Sequence, residues 1–265
     1  MNKIGIMQGR LSSVTSKNLD LFPINEWQKE FEYASKIGFD YIELICDKKS
    51  LIKNPINNFK GIEEINYLAS LHKLNLISVC NNYIIDNSIW HDQLALKQNI
   101  DLINMIKPLK LIYFILPLVG KSSLDGIEYR KVISILDNIS NTLGDINLKL
   151  LIETNLSANE LKLLFKKLDH KNIKILYDVG NLATLGHDIS LEIEELGGLI
   201  GHVHIKDKDQ NGVNVKLGNG IVNFKRLFAA LKKINYKGCY TLETTPELSP
   251  IKTALIHKNF LLNYL

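Results

Sequence analysis

The sequence predicts an α/β chain folded as a single (β/α)₈ TIM barrel with parallel strands, covering residues 1–265. Three observations lead there. Eight short apolar runs punctuate the 265-residue chain. They alternate with longer stretches of helical periodicity. The last four runs each deliver an acidic or imidazole side chain at or near their C-terminal end. Eight strand–helix units of roughly 33 residues match the usual size of such a barrel.

The first run covers residues 3–7. After it Trp27, Phe31, Ala34 and Ile37 recur at helical spacing, and Gly38 follows as a stop signal. The second run, 40–46, precedes a helix marked by Ile62, Ile65, Leu68, Ala69 and Leu71. The third and fourth runs are 76–80 and 110–116. The fifth, 148–153, leads to a helix opened by Ser157 with Glu160 three residues on, a capping pair, and carried by Leu161, Leu164, Phe165 and Leu168. The sixth and seventh are 173–178 and 199–205. A polar stretch, 206–222, is the longest late loop. Phe224, Leu227, Phe228 and Leu231 form the next helix, 239–243 is the eighth run, and a last helix extends from about residue 250 towards 265. Most runs are rich in Ile, Leu, Val and Tyr without strict alternation, the pattern of parallel strands buried on both faces. A doubly wound open sheet is the alternative. It usually carries a Gly-rich phosphate turn after its first strand, where this chain has Met7-Gln8-Gly9-Arg10-Leu11 without GxGxxG. With no linker or composition break, one domain is expected.

Composition narrows the function. Hydrophobic residues make up 46% and charged residues 23%, with a net charge of +4 from 32 basic and 28 acidic side chains. That excess is small and spread out. Pairs such as Lys48-Lys49 and Lys166-Lys167 read as solvated helix ends and loops, short of the dense basic stripe of a nucleic-acid surface. Cys46, Cys80 and Cys239 each fall in an apolar run, which reads as small buried thiols, with no CxxC pair. Met1-Asn2-Lys3 leads straight into an apolar run, and no run approaches the ~20 residues of a membrane span. The expectation is a cytoplasmic protein without disulfides, binding a small molecule and neither nucleic acid nor membrane. A homo-oligomer is compatible with this reading.

In a barrel, polar residues at C-terminal strand ends face the active-site mouth. Glu153, Asp178, His204 and Glu243 fall at the ends of runs five to eight. Three carboxylates and an imidazole, with no thiolate, suit one divalent ion such as Mn²⁺, Mg²⁺ or Co²⁺. Each residue also has a structural reading: a helix cap, an ion pair, or for Asp178 before Val179-Gly180-Asn181 a turn. His202 shares a face with His204 by the period of two along a strand. It lies deeper, which suggests packing behind the ligand. Glu43 within YIEL either faces the mouth or forms a buried ion pair. Gln8 and Arg10 after run one, and Asn155 after Glu153, are candidates for contacts to a substrate, or else turn formers and ion-pair partners. Asn81 and Asn82 after run three have the same two readings. His72, His91, His170, His187 and His257 default to the surface, with His187 an outside candidate for the rim.

At these residues the sequence resembles the xylose-isomerase-like barrels of sugar and sugar-phosphate isomerases and epimerases. The stretches IGIMQGRLSS, EFEYASKIGFDYIEL, LLIETN, ILYDVGN, GHVHIKD, LGNGIVNF and GCYTLET occur in order nearly end to end. The resemblance is nearest to ketose and ketose-phosphate 3-epimerases. It implies Glu153, Asp178, His204 and Glu243 as metal ligands, with Glu153 and Glu243 also the acid/base pair. One removes a proton alpha to a carbonyl and the other returns one to the opposite face, through an enediolate. Two positions depart from the pattern: Asn181 stands where many epimerases have His, and Gln210 where several have Arg. Lys206, next to Asp207, and Lys208 and Lys216 lie in the loop after run seven. There Lys206 above all is a candidate for a substrate phosphate. The same shell serves a 1,2-isomerase or a sugar or inosose dehydratase. An endonuclease-like phosphodiesterase needs more His and Asp ligands than these strands offer, and a non-catalytic sugar-binding barrel leaves the two glutamates without a role.

Overall fold

A computed structural model of the protein describes residues 2–12, 21–144, 147–168, 172–247 and 249–265. Its centre is a closed barrel of β1 (Ile4–Met7), β2 (Tyr41–Cys46), β3 (Asn75–Asn81), β4 (Tyr113–Leu118), β5 (Lys149–Thr154), β6 (Ile173–Asp178), β7 (Ile200–Ile205) and β10 (Cys239–Leu242). Every neighbouring pair is parallel, and β10 closes on both β7 and β1. A two-stranded antiparallel extension, β8 (Asp207–Lys208) and β9 (Asn214–Val215), rises from the long loop after β7.

The strands are apolar on both faces because both are covered. All six residues of β2 are buried, as are all four of β1. The outer layer includes α1 (Trp27–Ile37), α2 (Phe59–Leu71), α4 (Gln93–Met105), α5 (Tyr129–Gly144), α6 (Ala158–Leu168), α8 (Ile189–Leu196), α9 (Phe224–Lys233) and α10 (Pro250–Leu262). Short turns α3 (Tyr83–Asp86) and α7 (Val179–Thr184) follow β3 and β6. In α9 the buried Phe224, Leu227, Phe228 and Leu231 make one stripe, each contributing about 1.5–3 kcal/mol of burial. Gly38 closes α1 at φ +83, a left-handed position that suits glycine. Ser157 and Glu160 cap α6 reciprocally, the Ser157 N–H and hydroxyl donating to the Glu160 carboxylate.

Four readings of the sequence need correction. The fourth strand runs over 113–118, not 110–116, because Lys110 sits at φ +51 at the end of a 3₁₀ turn and cannot join a strand. The last helix stops at Leu262. Cys46 and Cys80 are buried thiols, but Cys239, at the start of β10, is only half-buried. His257 is buried against the core rather than on the surface, and burial lowers its pKa to about 4. His170 lies outside the described residues. No helix among the described residues is long and apolar enough to cross a membrane.

Candidate active site

Four strands adjacent in the wall, β5, β6, β7 and β10, carry Glu153, Asp178, His204 and Glu243 to one rim, and all four are buried. Asp178 has two jobs. Its Oδ1 caps α7 by accepting the Asn181 N–H at 2.8 Å, and its Oδ2 lies 2.8 Å from Lys206 Nζ. The same ammonium reaches Glu243 Oε1 at 2.9 Å, and Arg10 approaches that oxygen at 3.5 Å. His204 Nδ1 is 2.8 Å from Glu243 Oε2. Asn181 Nδ2 donates to Glu153 Oε1 at 3.0 Å. Lys206 can lie across α7 because Gly180 has no side chain; a Cβ there would stand 2.4 Å from Lys206 Cγ.

The charges do not balance pairwise. Burial, then the neighbouring Asp178, raises the Glu153 carboxyl to about 8. Burial, with Glu243 beside it, also raises Asp178. Burial works the same way on Glu243, but Lys206 and His204 outweigh it and hold that carboxyl well below its ordinary range. Burial disfavours the Lys206 charge, yet Asp178 and Glu243 raise its pKa. Burial disfavours the His204 charge as well, but Glu43 behind it and Glu243 favour it. Four buried carboxylates, Glu43 included, thus face Lys206, Arg10 and His204 with negative charge left over, a surplus that an added cation or a proton relieves.

Beneath this rim lies a second polar layer, wholly sealed. Glu43 Oε1 is 2.8 Å from His204 Nε2. Glu43 Oε2 accepts from Ser78 Oγ at 2.6 Å and Thr241 Oγ1 at 3.2 Å. Thr241 Oγ1 also meets His202 Nε2 at 2.7 Å and the Tyr41 hydroxyl at 2.8 Å. His202 therefore packs behind His204. Burial alone would raise Glu43, but the charge of His204 and the histidine hydrogen bonds hold it far below the usual carboxylate range.

The remaining candidates divide. Gln8 is buried and accepts the Ile45 N–H at 3.3 Å. Asn155 is exposed in the bend after β5. Asn81 and Asn82 are buried, and Asn81 donates to Asn99 at 2.8 Å. Lys216 pairs with Glu247 across the late loops. His187 sits on the outer side, its Nδ1 2.8 Å from Glu192 Oε1, whose partner oxygen takes the Tyr177 hydroxyl. The geometry also brings in groups the sequence did not single out. Thr241 could have been found, since it lies two residues before Glu243 and so shares its face. Ser78 and Tyr41 gave no such signal. Glu30, on α1, holds the loop bearing Arg10 by accepting from Gly9 N, Leu11 N and Ser12 Oγ at 2.8, 3.0 and 2.8 Å.

Ligand-capable atoms of Asp178, His204 and Glu243 all lie within 4.8 Å of one another, and so do those of Glu43, His202 and His204. The first set suits a hard divalent ion: oxygen donors with one imidazole, around a spot already claimed by an ammonium. In the second, Glu43 Oε2 already takes the Ser78 and Thr241 hydroxyls and His202 Nε2 meets Thr241 Oγ1.

Comparison with known proteins agrees with this architecture. The model of the family "Xylose isomerase-like TIM barrel" matches residues 31–259. L-ribulose-5-phosphate 3-epimerase UlaE of Salmonella paratyphi A is 37% identical over 83 residues, 31% of this chain and 29% of that protein. The chain spans half the length or less of the curated relatives it matches first. Among solved structures, D-psicose 3-epimerase with D-tagatose from Clostridium cellulolyticum H10 superposes with TM-score 0.78 at 17% identity, covering 99% of each chain. A xylose isomerase-like TIM barrel protein from Mycobacterium smegmatis in complex with magnesium gives TM-score 0.74 at 15% identity, covering 100% of this chain and 96% of that one.

Proposed function

The chain belongs to the xylose isomerase-like TIM barrel family, and from that premise we propose that it is a divalent-metal-dependent epimerase or isomerase of a small ketose or ketose phosphate. One observation carries the reading: four adjacent strands bring Glu153, Asp178, His204 and Glu243 to one rim, with like charge crowded in a buried setting. The epimerase names of the UlaE relative and of the Clostridium cellulolyticum structure support the substrate class.

Asp178, His204 and Glu243, with Glu153 at their side, would hold the ion. When bound, the ion polarises a carbonyl and offsets the negative charge that develops when the neighbouring carbon loses its proton. The chain's own groups do the rest. Glu153 and Glu243 sit on strands separated by β6 and β7, so they flank a sugar from two sides. One takes a proton from the carbon next to the carbonyl and the other returns one to the opposite face. Asn181 steadies Glu153 through its 3.0 Å hydrogen bond. Lys206 and Arg10 lie against Glu243 and stabilise its ionised form.

The test is product analysis with a panel of ketoses and ketose phosphates, with Mn²⁺, Mg²⁺ or Co²⁺ supplied. A new epimer or aldose should form, vanish on chelation and return when the ion is restored. An eliminated, dehydrated product would shift the reading to a dehydratase. No turnover of any panel member with any ion would overturn it.

A further inference from the structure

The end of the barrel opposite the rim is the face that in such barrels serves stability rather than chemistry. Side chains alternate along a strand, so counting back by twos from Glu153 and Asp178 leads to Lys149 and Lys174 at the start of β5 and β6. Both line a cavity of about 300 Å³ at that end, and Lys237, just before β10, lines it too. No acidic side chain lines the cavity among the described residues. Nor does any of the three lysines enter an ion pair among them. Lysine is positively charged at neutral pH, so like charge gathers at one concave mouth with nothing opposite it. Such repulsion lowers stability, and a purely structural mouth would pair the charges or lack them.

Glycine shapes the wall of this cavity. β6 and β7 slip by one residue: Ile175 pairs with Ile200 and Leu176 with His202, which leaves Gly201 as the extra residue of a bulge. A Cβ on Gly201 would stand 2.7 Å from Lys174 Cβ, so the missing side chain lets the lysine stem lie against β7. The ammonium is then tethered, Lys174 Nζ donating to the Gly198 carbonyl at 2.6 Å. Glycine inside a strand marks a place where another group comes close to the backbone, and here that group is the cation.

We propose that this lower mouth binds a small phosphate-bearing anion, phosphate itself or a phosphomonoester, through Lys149, Lys174 and Lys237. Lysine meets phosphate as a point charge, and three such charges suit a dianion. The volume lies at the small end of ligand pockets and leaves room for a phosphate and a short attached group. Lys149 and Glu153 stand four residues apart on one strand, ~13 Å along it, so the site is distinct from the rim and does not depend on the metal reading.

The test follows the amide signals of ¹⁵N-labelled protein as inorganic phosphate or glycerol 3-phosphate is added, against sodium chloride at the same ionic strength. Gly197, Gly198, Gly201 and Gly238 report on the lower mouth, and Gly180 and Asn181 on the rim. The lower set should move and saturate with phosphate and stay still with chloride. Tighter binding of the ester would assign the site to a phosphomonoester, and equal or weaker binding to phosphate itself. Affinity should fall roughly tenfold in Lys174→Gln, which removes one charged contact, and hold in Lys60→Gln, an exposed lysine at the start of α2. If Lys174→Gln does not fold, Lys237→Gln, at an exposed position, gives the same reading. Equal losses in the Lys60 and Lys174 variants, or shifts scattered over the whole surface, would mean diffuse attraction of ions and overturn the site. Shifts confined to Gly180 and Asn181 would put the phosphate at the rim and overturn it too, as would no shift with either probe.

Discussion

The rim of the barrel and the layer beneath it are both polar and both buried, yet they are built to opposite ends. In the lower layer Glu43 Oε2 takes the Ser78 and Thr241 hydroxyls while Oε1 faces the His204 ring at 2.8 Å, so one buried charge is offset by its immediate neighbours. On the rim the acids exceed the cations, and the carboxyls are driven apart, Glu153 up to about 8 and Glu243 well down. A satisfied buried network gives rigidity. An unsatisfied one lowers stability and leaves groups ready to exchange protons or take a cation. The contrast therefore predicts that changes in the two layers separate into loss of activity above and loss of stability below.

The largest effect belongs to the rim. Glu153→Gln and Glu243→Gln should each cut turnover by at least ~10²–10⁴, while thermal melting of the metal-free protein changes little or rises because like charge is removed. Turnover within tenfold of wild type in both variants would break the comparison from above.

Glu30 provides an intermediate case, an acid buried outside both layers. Burial raises it from 4.5 to about 7, although hydrogen bonds from Gly9, Ser12 and Leu11 oppose the shift. The folded state then holds the proton more tightly than the unfolded chain. This contribution favours folding most below pH 4.5 and is lost as pH rises to 7, by about 3 kcal/mol in all. Urea midpoints across pH 4–8 should show that decline in wild type and a flatter profile in Glu30→Gln. Parallel profiles would mean that the hydrogen bonds fully offset the burial of the charge.

The smallest effect belongs to the lower layer. Ser78→Ala removes a donor to a fully buried carboxylate and should lower stability by ~1–3 kcal/mol, read from urea unfolding. Its effect on turnover should be far below that of either rim glutamate. An equal loss of turnover would erase the distinction between the layers.

These two layers were unequally legible in the sequence. The rim could be read because each of its residues interrupts or ends an apolar run, and strand ends in a barrel share one face. Lys206 was visible as a loop cation, but its turn inward depends on the space left by Gly180. The lower layer hangs on which residues of β2, β3, β7 and β10 reach the same height, which follows from the stagger of the closed sheet and leaves no trace in hydropathy. Glu43 and His204 are therefore neighbours that periodicity alone could not pair. His257 was misread for a related reason. α10 is apolar nearly all round, with Ile251, Leu255 and Ile256 exposed, so no stripe marked its inner face. His187, a surface histidine by default and only an outside candidate for the rim, stays off the rim: its ring joins the Glu192 group that the Tyr177 hydroxyl also contacts.

The central claim is that two rim carboxylates exchange protons with the carbon beside a ketose carbonyl. The direct measurement is turnover in deuterated water with the divalent ion supplied, followed by mass and NMR analysis of the product. The account predicts one deuterium at the inverted carbon and loss of that incorporation in Glu153→Gln and Glu243→Gln. Product carrying no deuterium at that carbon would contradict it and point instead to hydride transfer.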